Sequence, residues 1–233
     1  MEADIWIDKD SSELRVAHYF KSTFSAPTLK NLYTNPLTTI LKYLNENSTA
    51  SEVQRVVFDT SEQATLVLCL DFKSDGHDLW PSVQDHLQLF RENGWLTYWD
   101  FERNIRVLGP VTVVATGNAP FELIQASYPR DIFLDAPLNK LGANWPYTTA
   151  NSYYASVSFR EAVGESFTFL LSTRKQERIK SQIKVAKLHG LVSCYWSTPG
   201  WCRNYFWQVL TDNGVGMLNV DNLRAAARWN WRI

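Results

Sequence analysis

The stretch ATLVLCLDF, Ala64 to Phe72, constrains the fold more than any other part of this sequence. Apolar residues fill almost every position, which suits a strand of a parallel sheet covered on both faces. The run closes on Asp71 and Lys73, two apart and therefore on the same strand face. A buried strand ending in a charged pair makes a structural centre and a candidate chemical one at the same place.

The rest of the chain repeats the theme of strand followed by helix. Seven principal strands are expected: Met1 to Ile7, then segments near Leu66, Val111, Ile132, Tyr154, Leu191 and Met217. ELRVAHYF reads as a short extended segment. Helices are expected around Leu37 to Glu46, Pro81 to Asn93, FELIQAS, Thr173 to His189, Asn204 to Asn213 and LRAAARW, from apolar residues at helical spacing. Gly94, Gly190 and Gly214 are natural stops for three of them. Repeated strand–helix units imply a parallel sheet, and at 233 residues a closed (β/α)8 barrel of the TIM type is favoured over a doubly wound sheet. The whole chain, 1–233, is read as a single domain. No glycine-rich phosphate loop follows any strand, which argues against a nucleotide-binding sheet.

Composition narrows the partners. With 45% hydrophobic and 20% charged residues the chain has the make-up of a globular protein with a sizeable core. Net charge is −1 and the basic residues are scattered, so nucleic acid is not an expected partner. There is no apolar run long enough to span a membrane, and MEADIWIDKD lacks the pattern of a signal peptide, which leaves the compartment open. Cys69, Cys194 and Cys202 show neither metal-type spacing nor a disulfide framework, and Cys69 and Cys194 read as buried thiols. Asn47-Ser48-Thr49 is a sequon of a kind too common to imply secretion. Ten Trp, ten Tyr and twelve Phe exceed what most pockets need, so most are expected in the core, with some free to line a site for a sugar or a lipid head group.

Glu2 and Asp4 in the opening strand again lie two apart and face one way. Two acids on one strand face repel unless a cation lies between them, and a divalent metal is the usual answer. An edge strand with a solvated acidic face is the alternative. In a barrel, the C-terminal ends of the strands build the active site, and the candidates there are Glu2, Asp4, Asp71, Lys73, Asp135, Ser158, Trp196 and Asp221. Carboxylates and a phosphate suit Mg²⁺ or Ca²⁺, hard cations that take oxygen ligands. Lys73 offers a point charge for a phosphate oxygen. His18 is the histidine closest in sequence to these acids at an expected strand end, placed for general acid–base work, whereas His77, His86 and His189 read as loop or helix-surface residues.

Glu2-Ala3-Asp4, then Val16-Ala17-His18, then Asp71-Phe72-Lys73 resemble the phospholipase-C-like phosphodiesterase superfamily, which includes glycerophosphodiester phosphodiesterases. The segments DFKSDGHDLWPSV, RENGWLTYWD, GPVTVVATGN, RDIFLDAPL, NSYYASVSF and GVGMLNVDNL resemble, within it, the fungal altered inheritance of mitochondria protein 6 family, and the likeness runs from Glu2 to near the end. The resemblance implies a (β/α) barrel, Mg²⁺ or Ca²⁺ held by Glu2, Asp4 and Asp71, His18 as a catalytic histidine, and Lys73, Trp196 and Asp221 as substrate contacts. It implies a metal-dependent phosphoric diester hydrolase acting on a glycerophosphodiester or lysophospholipid-type small molecule or lipid head group.

One family feature is missing. The superfamily's first strand ends in a histidine, in this branch within a His-Asn-Asp-Tyr-like motif, and these 233 residues contain no such motif. The barrel is therefore expected to lack its first strand, with the missing unit upstream, leaving two unpaired sheet edges. Two other functions stay open: a non-catalytic binding protein on the same barrel, and a carbohydrate-active barrel using paired carboxylates among Glu2, Asp71 and Asp135.

Overall fold

The computed structural model describes residues 1–8, 10–46, 56–58, 64–140, 142, 145–164 and 170–231. The Asn47 sequon lies outside the described residues. The chain divides into two compact units, Met1–Asp135 and Ala136–Ile233.

The first unit runs β1 (Glu2–Ile7), β2 (Leu14–Val16), α1 (Asn35–Asn45), β3 (Leu66–Phe72), α2 (Gly76–Glu92), β4 (Tyr98–Asp100), β5 (Ile105–Val107), β6 (Val111–Gly117), α3 (Phe121–Ala126) and β7 (Ile132–Pro137), within which the unit boundary falls. The second runs β8 (Ser152–Ser158), α4 (Phe159–Val163), α5 (Thr173–Leu188), β9 (Val192–Trp196), α6 (Arg203–Asp212), β10 (Met217–Leu218) and α7 (Leu223–Arg228). All seven expected strands and all six expected helices are present, in a mixed α/β architecture with mostly parallel pairing. In the first unit β1 pairs β3, β3 pairs β6 and β6 pairs β7, all parallel. In the second β8 pairs β9 and β9 pairs β10, also parallel.

Several details depart from what the sequence suggests. The edge of β1 expected to be bare carries β2, antiparallel, with Ile5 opposite Val16. A polar turn after Ile7 lets the chain fold straight back, and that hairpin satisfies the backbone groups of the edge locally. β3 is covered fully on one face and partly on the other. Leu68, Leu70 and Phe72 are fully buried, while Cys69 and Asp71 on the other face are half-buried. β6 does meet that expectation, since Val111 through Ala115 are all buried. The difference follows from position: the odd-numbered face of β3 carries Asp71, with Lys73 just beyond the strand, and charges need water or counter-charge.

Helix α2 begins at Gly76, five residues before the position suggested by Pro81. Asp75 caps it, its Oδ1 accepting from the N–H groups of His77 (2.9 Å) and Asp78 (3.2 Å). At its far end Trp95 N–H donates to Phe90 O, the six-to-one bond of a glycine-terminated helix. The hairpin β4–β5 was not foreseen; its strands have three residues each. Asp100 Oδ1 accepts from the N–H groups of Glu102 and Arg103 across the turn, and Asn104 adopts φ 54°.

The core of the second unit is a single apolar cluster that includes Ala155, Val157, Phe159, Ile179, Ile183, Tyr195, Phe206 and Leu210. Tyr195 is fully buried, and its hydroxyl donates to Gln182 Oε1 at 3.0 Å.

Candidate metal centre

Alternation along β1 turns Ala3 and Ile5 into the core and leaves Glu2 and Asp4 on the other face. Parallel pairing with β3 places Asp4 opposite Asp71 and Glu2 opposite Cys69. Three carboxylates from two neighbouring strands are thereby gathered, and one oxygen from each of Glu2, Asp4 and Asp71 lies within 4.8 Å of the others. Among the described residues this is the one group of carboxylate, histidine or cysteine side chains close enough to hold a metal ion together.

Lys73 closes the group. Its N–H donates to Ile5 O at 3.0 Å, fixing the backbone just beyond β3. Its ammonium stands 3.2 Å from Asp4 Oδ1 and 2.5 Å from Asp71 Oδ2. Burial works against the charge on Lys73, but contact with Asp71 and Asp4 outweighs it and holds its pKa above the ordinary value. One ammonium does not balance three carboxylates. Glu2 makes no ion pair among the described residues, and its pKa is raised, first by partial enclosure and then by repulsion from Asp4 and Asp71, with Lys73 offsetting only part. A set of oxygen donors with surplus negative charge is the chemistry that suits a hard divalent cation.

The surroundings hold the carboxylates in place. Thr116 is the register partner of Asp71 on β6, and its Oγ1 meets Asp135 Oδ2 at 3.3 Å. Gly117, with φ +67°, leaves room for Asp71: a β-carbon there would fall 2.2 Å from Asp71 Oδ1 and 2.8 Å from Phe72 O. Asn118 N–H donates to Phe72 O at 2.9 Å and its amide reaches Ser74 O at 3.3 Å, tying the loop after β6 to the loop after β3. Tyr33 follows from a single π turn, Lys30–Thr34, that leads into α1. Its hydroxyl donates to Glu2 O at 2.7 Å, and its pKa is raised by burial and by the nearby Asp4 and Glu2 charges. Neither Gly117 nor Tyr33 was picked out from sequence. The ATGN segment at the end of an apolar strand was a usable signal for the first, since glycine at a strand end marks close backbone approach; the second had none.

His18 lies just beyond β2. Ala17 N–H donates to Asp4 O (3.1 Å) and Trp6 Nε1 donates to Ala17 O (2.7 Å), so the hairpin returns the chain to the level of Asp4 immediately before His18. The imidazole is exposed and meets Tyr19 edge-on, with 4.3 Å between ring centroids. The other histidines have separate contacts: His77 Nε2 lies 2.7 Å from Glu122 Oε1, His86 Nδ1 is 2.7 Å from Ser82 O, and His189 Nδ1 is 3.3 Å from Tyr147 O. Ser158, Trp196 and Asp221 belong to the second unit. Ser158 is buried at the end of β8, Trp196 is 44% exposed at the end of β9, and Asp221 is exposed three residues past β10.

Comparison with known proteins agrees with this geometry at the level of family. The AIM6-like phosphodiesterase domain matches residues 1–135, the span that also forms the first compact unit. The altered inheritance of mitochondria protein 6 homolog of Arthroderma benhamiae is 36% identical over 97% of this chain and 73% of its own length. The altered inheritance of mitochondria protein 6 of Eremothecium gossypii is 32% identical over 98% of this chain, and that of Saccharomyces cerevisiae (strain YJM789) 31% over 97%. The chain spans 63% of the length of each of these two relatives. No solved structure matches. The acidic cluster thus lies within the matched segment, and the chain belongs to the AIM6-like phosphodiesterase family.

Proposed function

We propose that this chain is a metal-dependent phosphoric diester hydrolase built on a (β/α)8 barrel, acting on a glycerophosphodiester or lysophospholipid-type substrate. The observation that carries the reading is the convergence of Glu2, Asp4 and Asp71 within 4.8 Å beside the Lys73 ammonium. The donor set fits Mg²⁺ or Ca²⁺, with Glu2, Asp4 and Asp71 as the residues that would hold it. Such a cation, when bound, would draw charge from the non-bridging phosphoryl oxygens.

The chain's own residues divide the remaining work. Lys73 presents its ammonium to a phosphoryl oxygen and orients the diester by charge. As a water oxygen bonds to phosphorus and gives up a proton to solvent, the P–O bond to the alkoxide breaks and His18 passes a proton to that leaving alkoxide; its exposed ring is open to a substrate. Asp4 and Asp71 position the Lys73 ammonium, and in the metal-free protein their contacts hold its pKa above the ordinary value. Trp196 and Asp221 are proposed as head-group contacts on the family resemblance. A second reading, a protein that binds phosphodiesters without cleaving them, draws support from the histidines: His77, His86 and His189 are each engaged elsewhere, leaving His18 without a second imidazole to share proton transfer.

Hydrolysis of glycerophosphocholine and of lysophosphatidylcholine in Mg²⁺, with and without EDTA, tests the proposal. The expected result is cleavage that EDTA abolishes and that Asp71→Ala lowers by roughly 10²-fold or more. Cleavage untouched by either would refute the metal-dependent reading, and cation binding without turnover would favour the binder.

A further inference from the structure

The loop from Ala17 to Ala26 departs from the usual rule for apolar side chains. It is a tied structure: Val16 N–H donates to Pro27 O at 2.9 Å, and Arg15 bridges Thr28 across the neck. The Arg15 guanidinium reaches Ala26 O (3.2 Å) while its Nη2 pairs with Asp8 (3.1 Å). Within the loop Ser22 N–H donates to Tyr19 O and Thr23 Oγ1 to Phe20 O. Yet no residue of the 3₁₀ turn Phe20–Ser25 is buried. Tyr19 is 68% exposed, Phe20 58% and Phe24 84%. Trp6 packs against Phe20 with 5.5 Å between ring centroids, and Phe20 against Phe24 at 6.1 Å, so the rings form one projecting group rather than scattered residues. Contiguous exposed aromatics of this kind mark an interaction surface.

Charge points to an anionic partner. From Leu14 to Asn45 the sequence contains Arg15, Lys21, Lys30 and Lys42 and no Asp or Glu. The three lysines are exposed and make no ion pair among the described residues. The same stretch holds six exposed large apolar residues, with Leu32, Ile40 and Tyr43 joining the loop's three. Aromatic side chains combined with unneutralised lysines match an anionic lipid surface, where rings enter the head-group region and lysines meet the negative charge. A second copy would bring the same lysines against these, like charge against like, and the exposed rings beside them suit a lipid head-group region.

We propose that the Tyr19–Phe24 loop is an interfacial anchor that docks this protein on anionic membranes. No helix among the described residues is long and apolar enough to cross a bilayer, and the docking proposed for this loop is interfacial. The loop begins one residue after His18, whose preceding residue is hydrogen-bonded to Asp4, so docking would hold the acidic cluster close to lipid head groups. That consequence rests on the proposed function; the docking itself does not.

Flotation of the 233-residue chain with vesicles of phosphatidylcholine alone, and of phosphatidylcholine and phosphatidylserine at roughly 3:1, tests the proposal. The expected result is binding to the mixed vesicles only, weakened by added salt and reduced about tenfold by Phe24→Asp or by Lys21→Glu. Leu223→Asp, at another exposed apolar position in the second unit, is expected to leave binding unchanged. Failure of the wild-type chain to float, or equal flotation of Phe24→Asp, would overturn it. So would a dimer in analytical ultracentrifugation that Phe24→Asp dissociates, which would give the surface to a second copy. Calorimetric cation binding by Phe24→Asp reads the acidic cluster separately. A chain that floats but hydrolyses no diester overturns the enzymatic reading and upholds this one.

Discussion

The two units use their polar residues in opposite ways. In the first, charged side chains are gathered on one face of neighbouring strands, where three carboxylates share one lysine and Glu2 is left without an ionic partner among the described residues. In the second, the buried interior is an apolar cluster whose one large polar group, the Tyr195 hydroxyl, is satisfied by Gln182 and pushed far above its ordinary pKa by burial. A satisfied buried hydroxyl adds to stability; an under-compensated acidic cluster detracts from it and persists where a ligand supplies the missing charge. The family match to residues 1–135 covers the unit that carries this apparent defect.

Substitutions can break or sharpen this contrast. Gly117→Val should have the largest effect, because the new side chain would meet Asp71 Oδ1 and Phe72 O on a backbone at φ +67°. We expect a loss of about 3 kcal/mol or more in urea unfolding, together with weakened cation binding. Tyr195→Phe should cost about 1–2 kcal/mol by leaving Gln182 without its donor, and should leave cation binding as it was. Gly164→Ala also sits at positive φ (φ 75°, ψ 177°) but has open space around it, so only conformational strain, about 1–3 kcal/mol, is expected. If Gly164→Ala and Gly117→Val prove equally costly, crowding at Asp71 is not what sets Gly117 apart.

The smallest effect tests the electrostatics. Glu2 has a raised pKa, so the folded state holds its proton more tightly than the unfolded chain does. Its favourable contribution is complete below the ordinary carboxylate range and is lost as pH rises through the raised folded value. Glu2→Gln in metal-free protein should therefore give a small rise in Tm at neutral pH that disappears in acid. A fall in Tm at neutral pH would show that the cluster is not short of positive charge.

Much of this was legible in the sequence because it depends on local period. Glu2 and Asp4 must share a face once the segment is a strand, and Asp71 and Lys73 likewise. What the period does not contain is register: that Asp4 lies opposite Asp71 depends on how β1 and β3 align, a long-range fact. Gly117 against Asp71 and Tyr33 against Glu2 are invisible for the same reason. The early start of α2 was hidden by Pro81, whose usual role near a helix start outweighed the capping signal of Asp75. Hairpin β4–β5 was missed because three residues are too few to show alternation, although Asp100 and Asn104 in its turn were available as signals.

The central claim is that Glu2, Asp4 and Asp71 form a divalent-cation site. Isothermal titration of the metal-free chain with Mg²⁺ and with Ca²⁺, beside Asp71→Asn, tests it most directly. Saturable binding of a single cation by the wild-type chain is expected, with affinity lowered by roughly 10-fold to 100-fold in the variant. No saturable binding, or equal affinity in Asp71→Asn, would contradict it.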